Sequence, residues 1–221
     1  LITLGFAFEK ETIVEVEFEI VSGRDIFAEC IHSLAQRDMI LDLGGRRRFH
    51  KRLGSFREIF AGVPYYCLDI LLSQDLDVVG DLLSLPFESE VADGIICHAV
   101  LEHVYEPQTA VREIHRVLRP GGVAFLYVPF LYPYHGSRVE PDCYRFTRDG
   151  LLYMFRDFSE MRLQPVDSYI ATTLRFMTGF TSLEKTALIL ADPLESLVGW
   201  LRGRPLSRET QTSGYNIWVQ K

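Results

Sequence analysis

The segment from Asp93 to Val128 constrains the fold more than any other part of the chain. Asp93-Gly94-Ile95-Ile96-Cys97-His98 reads as a strand that opens into a loop. Pro107 suits the first turn of a helix, where its missing N–H costs nothing. Ala110, Val111, Ile114, Val117 and Leu118 then fall at helical spacing on one apolar face. Arg116 and Arg119 lie in or just past the last turn and complement the negative end of the helix dipole. Pro120-Gly121-Gly122 cannot continue a helix. Val123-Ala124-Phe125-Leu126-Tyr127-Val128 is an almost unbroken apolar run, the pattern of a strand covered on both faces. A strand–helix–strand unit of this kind makes parallel sheet, and parallel sheets hold ligands at the carboxyl ends of their strands. The residues after His98 therefore border a crevice.

The rest of the chain extends the same alternation. Thr12 to Ile20 alternates apolar and acidic residues, with Val14, Val16, Phe18 and Ile20 on one side, and predicts a half-buried strand within an N-terminal extension over 1–22. Asp25 to Arg37 predicts a helix. Met39–Leu43, Tyr65–Asp69 and Asp77–Asp81 are short strands, separated by a helical segment over Arg52–Phe60. Thr147 is an N-cap candidate for a helix carrying Leu151, Leu152 and Phe155. Met161–Val166 and Tyr215–Val219 supply the last two strands. Residues 170–202, rich in Leu, Phe and Met, predict a helical insertion before the final strand; its apolar residues suit a cap on the domain or a peripheral membrane contact. The expectation is one α/β domain over residues 1–221, Rossmann-like and doubly wound. It has a mostly parallel seven-stranded sheet and helices on both faces.

Composition narrows the function. With 221 residues there is room for one α/β domain, and 48% hydrophobic residues suffice for its core. A formal net charge of -7 argues against a broad nucleic-acid surface. No apolar run reaches the ~18 residues of a membrane-spanning helix. Cys30, Cys67, Cys97 and Cys143 are scattered without a C-x-x-C pair, so they read as buried or half-buried thiols of a cytoplasmic protein and not as a metal site.

Three strand ends carry carboxylates in order: Asp42 before Gly44-Gly45, then Asp69, then Asp81. Glycines let a backbone approach a ligand closely. A carboxylate after the second strand can accept both hydroxyls of a ribose diol. A polar group after the third can meet the exocyclic amine of adenine.

Together with Val100-Leu101-Glu102-His103-Val104 and Arg116-Val117-Leu118-Arg119-Pro120-Gly121-Gly122, these residues resemble the small class I S-adenosylmethionine-dependent methyltransferases of the type 11 kind. The resemblance runs from about Met39 to Pro129, within a cofactor core over 38–129. It implies that Asp42, Gly44 and Gly45 form the glycine motif for the methionine part of S-adenosyl-L-methionine. Asp69, with Ile70 beside it, would hold the ribose. Asp81 and the Leu82 amide would hold the adenine, and His98 would open towards the methionine moiety. One position departs from the pattern. Arg46 stands where the family usually has glycine, where it either pairs with the cofactor carboxylate or lies in a solvated basic loop with Arg47 and Arg48.

The segment 130–147 follows the fifth strand and should hang over the crevice as a substrate loop. It is similar to loops in methyltransferases of cell-surface glycan synthesis. His135 is the candidate general base for a hydroxyl acceptor, oriented by Asp142. Tyr134, Arg138 and Arg145 are candidate contacts to a small-molecule or glycan-like substrate. His103 reads as structural, and His32, His50 and His115 as surface residues. The expected reaction is O-methylation. Two other readings compete: a non-catalytic methyltransferase-like binding protein, and an NAD-dependent oxidoreductase or epimerase. The second lacks a G-x-G-x-x-G opening the first helix and a Tyr-x-x-x-Lys pair.

Overall fold

The computed structural model describes residues 2–8, 12–20, 26–178, 189–204, 206 and 211–221. Its strands are β1 (Ile2–Phe8), β2 (Thr12–Ile20), β3 (Ile40–Leu43), β4 (Tyr65–Asp69), β5 (Val78–Val79), β6 (Ala92–His98), β7 (Leu118–Pro129), β8 (Glu160–Pro165) and β9 (Gly214–Gln220). They form one sheet in the order β1-β2-β8-β9-β7-β6-β3-β4-β5. The seven strands read from the sequence are β3 to β9. From β5 through β4, β3 and β6 to β7 all pairings are parallel, and β9 inserts antiparallel between β7 and β8. The N-terminal extension is a hairpin. β2 pairs parallel with β8 and antiparallel with β1, a strand that the alternation over 12–20 did not announce. The facing of Val14, Val16, Phe18 and Ile20 lies outside the described residues.

Helices cover both faces because alternate strand residues point to opposite sides. Along β7, Ala124, Leu126 and Val128 join one core while Val123 and Phe125 join the other. The first core receives α2 (Pro107–Val117) and α3 (Arg148–Met154); the second receives α1 (Ile26–Leu34) and the 3₁₀ helix Lys51–Phe60. In α2 the buried residues are Pro107, Ala110, Val111, Ile114 and Val117, the face given by the spacing. Thr147 caps α3, its side chain accepting from the Gly150 N–H at 3.2 Å. The insertion before β9 contains α4 (Tyr169–Met177) and α5 (Ala191–Leu201), which pack on each other. Residues 179–188, inside the stretch read as helical, lie outside the described residues.

Arg116 does more than complement a dipole. Its guanidinium donates to the carbonyls of Leu85 and Phe87 and to the Glu113 carboxylate, which in turn accepts the Leu85 N–H. The helix end thereby fixes the loop that leads into β6.

Candidate active site

Parallel pairing places the ends of β3, β4, β5, β6 and β7 along one edge of the sheet, and a crevice of about 560 Å³ opens there. That volume lies within the usual range for small-molecule sites. Gly44, Leu68, Asp69, Ile70, Asp81, Leu82 and Val100 line one part; His103, Tyr105, His135, Arg138 and Glu140 line another.

The loop after β3 turns sharply. Gly44 has φ +73°, and a Cβ there would meet Val100 Cγ2 at 2.5 Å. Arg46 also adopts a positive φ, 54°, the region glycine favours, which accounts for the residue type usual at that position. Arg46 lines the crevice, and its side chain is engaged within the protein. It forms a two-pronged ion pair with Glu140 of the loop after β7, with Nε donating to Oε1 at 2.8 Å.

Asp69 is buried at the end of β4. Its Oδ2 accepts the Arg46 N–H and its Oδ1 the Leu71 N–H, each at 2.9 Å. A carboxylate has about four lone-pair sites, so two remain for ligand hydroxyls. Asp81 accepts the Leu83 N–H at 2.9 Å, with Leu82 buried beside it.

Several expected residues stand elsewhere. Asp42 is buried beneath the glycine loop, where its Oδ2 accepts from the Tyr65 hydroxyl at 2.5 Å; burial and this carboxylate together push the phenol far above its ordinary pKa. Gly45 serves close packing, since a Cβ there would lie 2.7 Å from Cys67 Sγ and 2.8 Å from Asp42 Oδ2. Burial, reinforced by Asp42, raises the Cys67 thiol to about 12. His98 points to the face of the sheet that α1 covers, stacked on its register partner Tyr127 and edge-on to Phe27. These three residues shape the crevice floor from behind and do not line it.

The substrate loop is similarly divided. Arg145 is engaged within the loop: it holds Asp142 through both nitrogens and donates to the carbonyls of Tyr132, Pro133 and Tyr144. Tyr134 is largely exposed and outside the crevice, so among the expected substrate contacts only Arg138 lines it. Asp142, held well below the usual carboxylate range chiefly by Arg145, accepts the His135 backbone N–H at 2.9 Å and lies 3.3 Å from Nδ1.

His135 reaches the crevice wall. Glu102, whose Oε1 is 3.8 Å from Nε2, is the first cause of a raised His135 pKa; burial opposes it, and the Pro133 carbonyl and Asp142 add to it. His103 lies beside it, ring centroids 5.1 Å apart, with Nδ1 2.6 Å from the Pro141 carbonyl. Glu102 and His103 had no chemical role in the sequence reading. The available signal was their position, an adjacent acid and imidazole just past the end of β6. His50 also lines the crevice, although its type and context suggested plain surface.

Residues 65–126 match the family described as methyltransferase domain. The matched segment is about a quarter of the chain, and the fold around it is shared with S-adenosylmethionine-dependent methyltransferases. Among solved structures, a SAM-dependent methyltransferase from Archaeoglobus fulgidus superposes with a TM-score of 0.54 at 14% identity, covering 88% of this chain and 90% of that one. The Burkholderia thailandensis 1,6-didemethyltoxoflavin-N1-methyltransferase, solved with 1,6-didemethyltoxoflavin and S-adenosylhomocysteine, gives 0.50 at 16% identity over 88% and 75% of the two chains. The [4+2]-cyclase SpnF gives 0.51 at 14% identity over 87% and 80%. No curated protein matches the sequence.

The crevice suits S-adenosylmethionine. Asp69 offers acceptors to a diol, Asp81 and Leu82 a carboxylate and a backbone amide to a base, and Leu68, Leu82 and Val100 apolar walls. S-adenosylmethionine, when bound, supplies a methyl group on a sulfonium sulfur. No helix among the described residues is long and apolar enough to cross a membrane.

Proposed function

We propose that the enzyme methylates a hydroxyl of a small-molecule or glycan-like acceptor held under the loop 130–147. The observation that carries this reading is His135 in the wall of the crevice that also contains Asp69 and Asp81. A hydroxyl is a poor nucleophile and gains from activation at its oxygen, whereas a free amine needs less. An acceptor oxygen beside His135 loses its proton as it takes the methyl group, and the sulfonium becomes a thioether. His135 assists either by accepting that proton directly or through a bound cation. Arg138, exposed at the rim, offers a guanidinium to an acidic substituent of the acceptor. Tyr105, 70% exposed, offers a ring face to a sugar.

The test is transfer of labelled methyl from S-adenosylmethionine to a panel of sugars, phenols and amines, with the product mapped by mass spectrometry. Ether products on hydroxyl acceptors support the assignment. Turnover confined to amines refutes O-methylation and leaves the enzyme class intact.

A further inference from the structure

We propose that Glu102, His103 and His135 form a binding site for one divalent transition-metal ion at the acceptor end of the crevice. The three residues converge from two loops. Glu102 and His103 belong to the 3₁₀ turn Leu101–His103 after β6, and His135 to the loop after β7. One donor atom from each lies within 4.8 Å of the others.

Three features point to an ion and not merely to a charged cluster. Glu102 is only 1% exposed, yet its Oε2 has no hydrogen-bond partner among the described residues. A buried carboxylate oxygen without a donor is costly unless a cation faces it. Second, both imidazoles are turned so that Nε2 faces Glu102. His103 Nδ1 is 2.6 Å from the Pro141 carbonyl, and His135 Nδ1 is 3.2 Å from the Pro133 carbonyl. A carbonyl only accepts, so in each neutral ring Nδ1 carries the hydrogen and Nε2 the lone pair. This is the outer-sphere bond that orients a metal-ligating histidine.

Third, Glu102 Oε1 lies 3.9 Å from His103 Nε2 and 3.8 Å from His135 Nε2. These gaps are too long for hydrogen bonds. An ion held about 2.0–2.2 Å from each donor spans ligand pairs up to about 4 Å apart. Small side-chain rotations close the set. Two imidazoles and one carboxylate suit Zn²⁺, Mn²⁺ or Fe²⁺ better than Mg²⁺, and three protein ligands leave positions open for an incoming oxygen.

The catalytic consequence rests on the O-methylation reading above and deepens it. An ion there would bind the acceptor hydroxyl and lower its pKa, so that the proton passes to solvent water as the methyl moves from sulfur to oxygen.

Binding is tested without cofactor or acceptor, by calorimetry of the chelator-treated protein with Zn²⁺, Mn²⁺ and Mg²⁺, and by elemental analysis of the protein as purified. One equivalent of Zn²⁺ or Mn²⁺ should bind, tighter than Mg²⁺. Glu102→Gln and His135→Ala should each weaken it at least tenfold. The second variant covers the case in which the buried Glu102 substitution unfolds the chain. No binding of any of these ions, or binding that both folded variants retain, overturns the site. Ether formation that persists in chelator, with no ion bound, overturns the ion's catalytic role while the O-methylation reading stands. Ion binding lost in both variants, with no ether product on any hydroxyl, supports the site and removes the O-methylation reading.

Discussion

Arg46 and Glu140, 94 residues apart in sequence, clasp each other between the loop after β3 and the loop after β7. The pair ties the motif that would face the cofactor to the loop that would face the acceptor. Both side chains are partly exposed, and such pairs contribute about 0–1 kcal/mol to stability. Its effect should therefore show in rates. Glu140→Gln should leave Tm almost unchanged and speed S-adenosylmethionine dissociation several-fold in stopped-flow displacement. An unchanged dissociation rate would mean that the clasp does not control entry.

Asp69 should dominate cofactor affinity. Its removal strands two ribose hydroxyls and also the Arg46 and Leu71 amides that it now accepts. Leaving buried donors unpaired costs about 1–3 kcal/mol. Asp69→Ala should weaken S-adenosylmethionine binding about tenfold or more in calorimetry. Wild-type affinity in this variant would place the ribose elsewhere.

Arg116 should matter for stability in a pH-dependent way. Arg116→Ala frees the carbonyls of Leu85 and Phe87 and should cost about 1 kcal/mol. Arg116 holds the Glu113 pKa below the ordinary value, with the Leu85 N–H assisting against burial. A depressed acid adds stability above its unfolded pKa, about 4.3, and loses that contribution as pH falls through the folded value. The Tm gap between wild type and Arg116→Ala should thus be largest near neutrality and shrink below about pH 4.3. A gap independent of pH would assign the effect to the carbonyl bonds alone.

The thiols give a test of packing. Cys30, Cys67 and Cys97 are buried, and Cys143 is exposed, where the sequence led to the expectation of buried or half-buried thiols throughout. Thiolate is the reactive form, and burial holds Cys67 at about 12. A thiol reagent at pH 8 should modify one residue quickly, with peptide mapping identifying Cys143. Rapid labelling of two or more would contradict the packing around β4 and β6.

The fold was largely legible because its signals are local. The spacing from Ala110 to Leu118 marks α2, and the apolar run after Gly122 marks a strand covered on both faces. The carboxylates at 69 and 81 lie at strand ends, where direct reading of the sequence places them. Asp42 and His98 were harder. They too sit on strands that end at the crevice, yet a strand residue's side is set by the pleat and by what packs there. Tyr65 draws the first below the loop, and Phe27 with Tyr127 holds the second on the opposite face. Arg145 illustrates another limit: a guanidinium in a loop reads as a ligand contact, while here nearby carbonyls and Asp142 satisfy it. The convergence of Glu102, His103 and His135 depends on a contact between loops some 30 residues apart, and no periodicity encodes that.

The position of β9 bears on how the sheet is assembled during synthesis. Among the described strands it is the last to be made, yet it lies between β7 and β8, pairing with both. Until residues 214–220 have left the ribosome, β7 and β8 have no strand to join them, and each presents an open edge rich in apolar side chains. Such edges recruit other chains. The nascent protein therefore passes through a stage at which association competes with folding, and its yield on refolding should fall steeply as concentration rises.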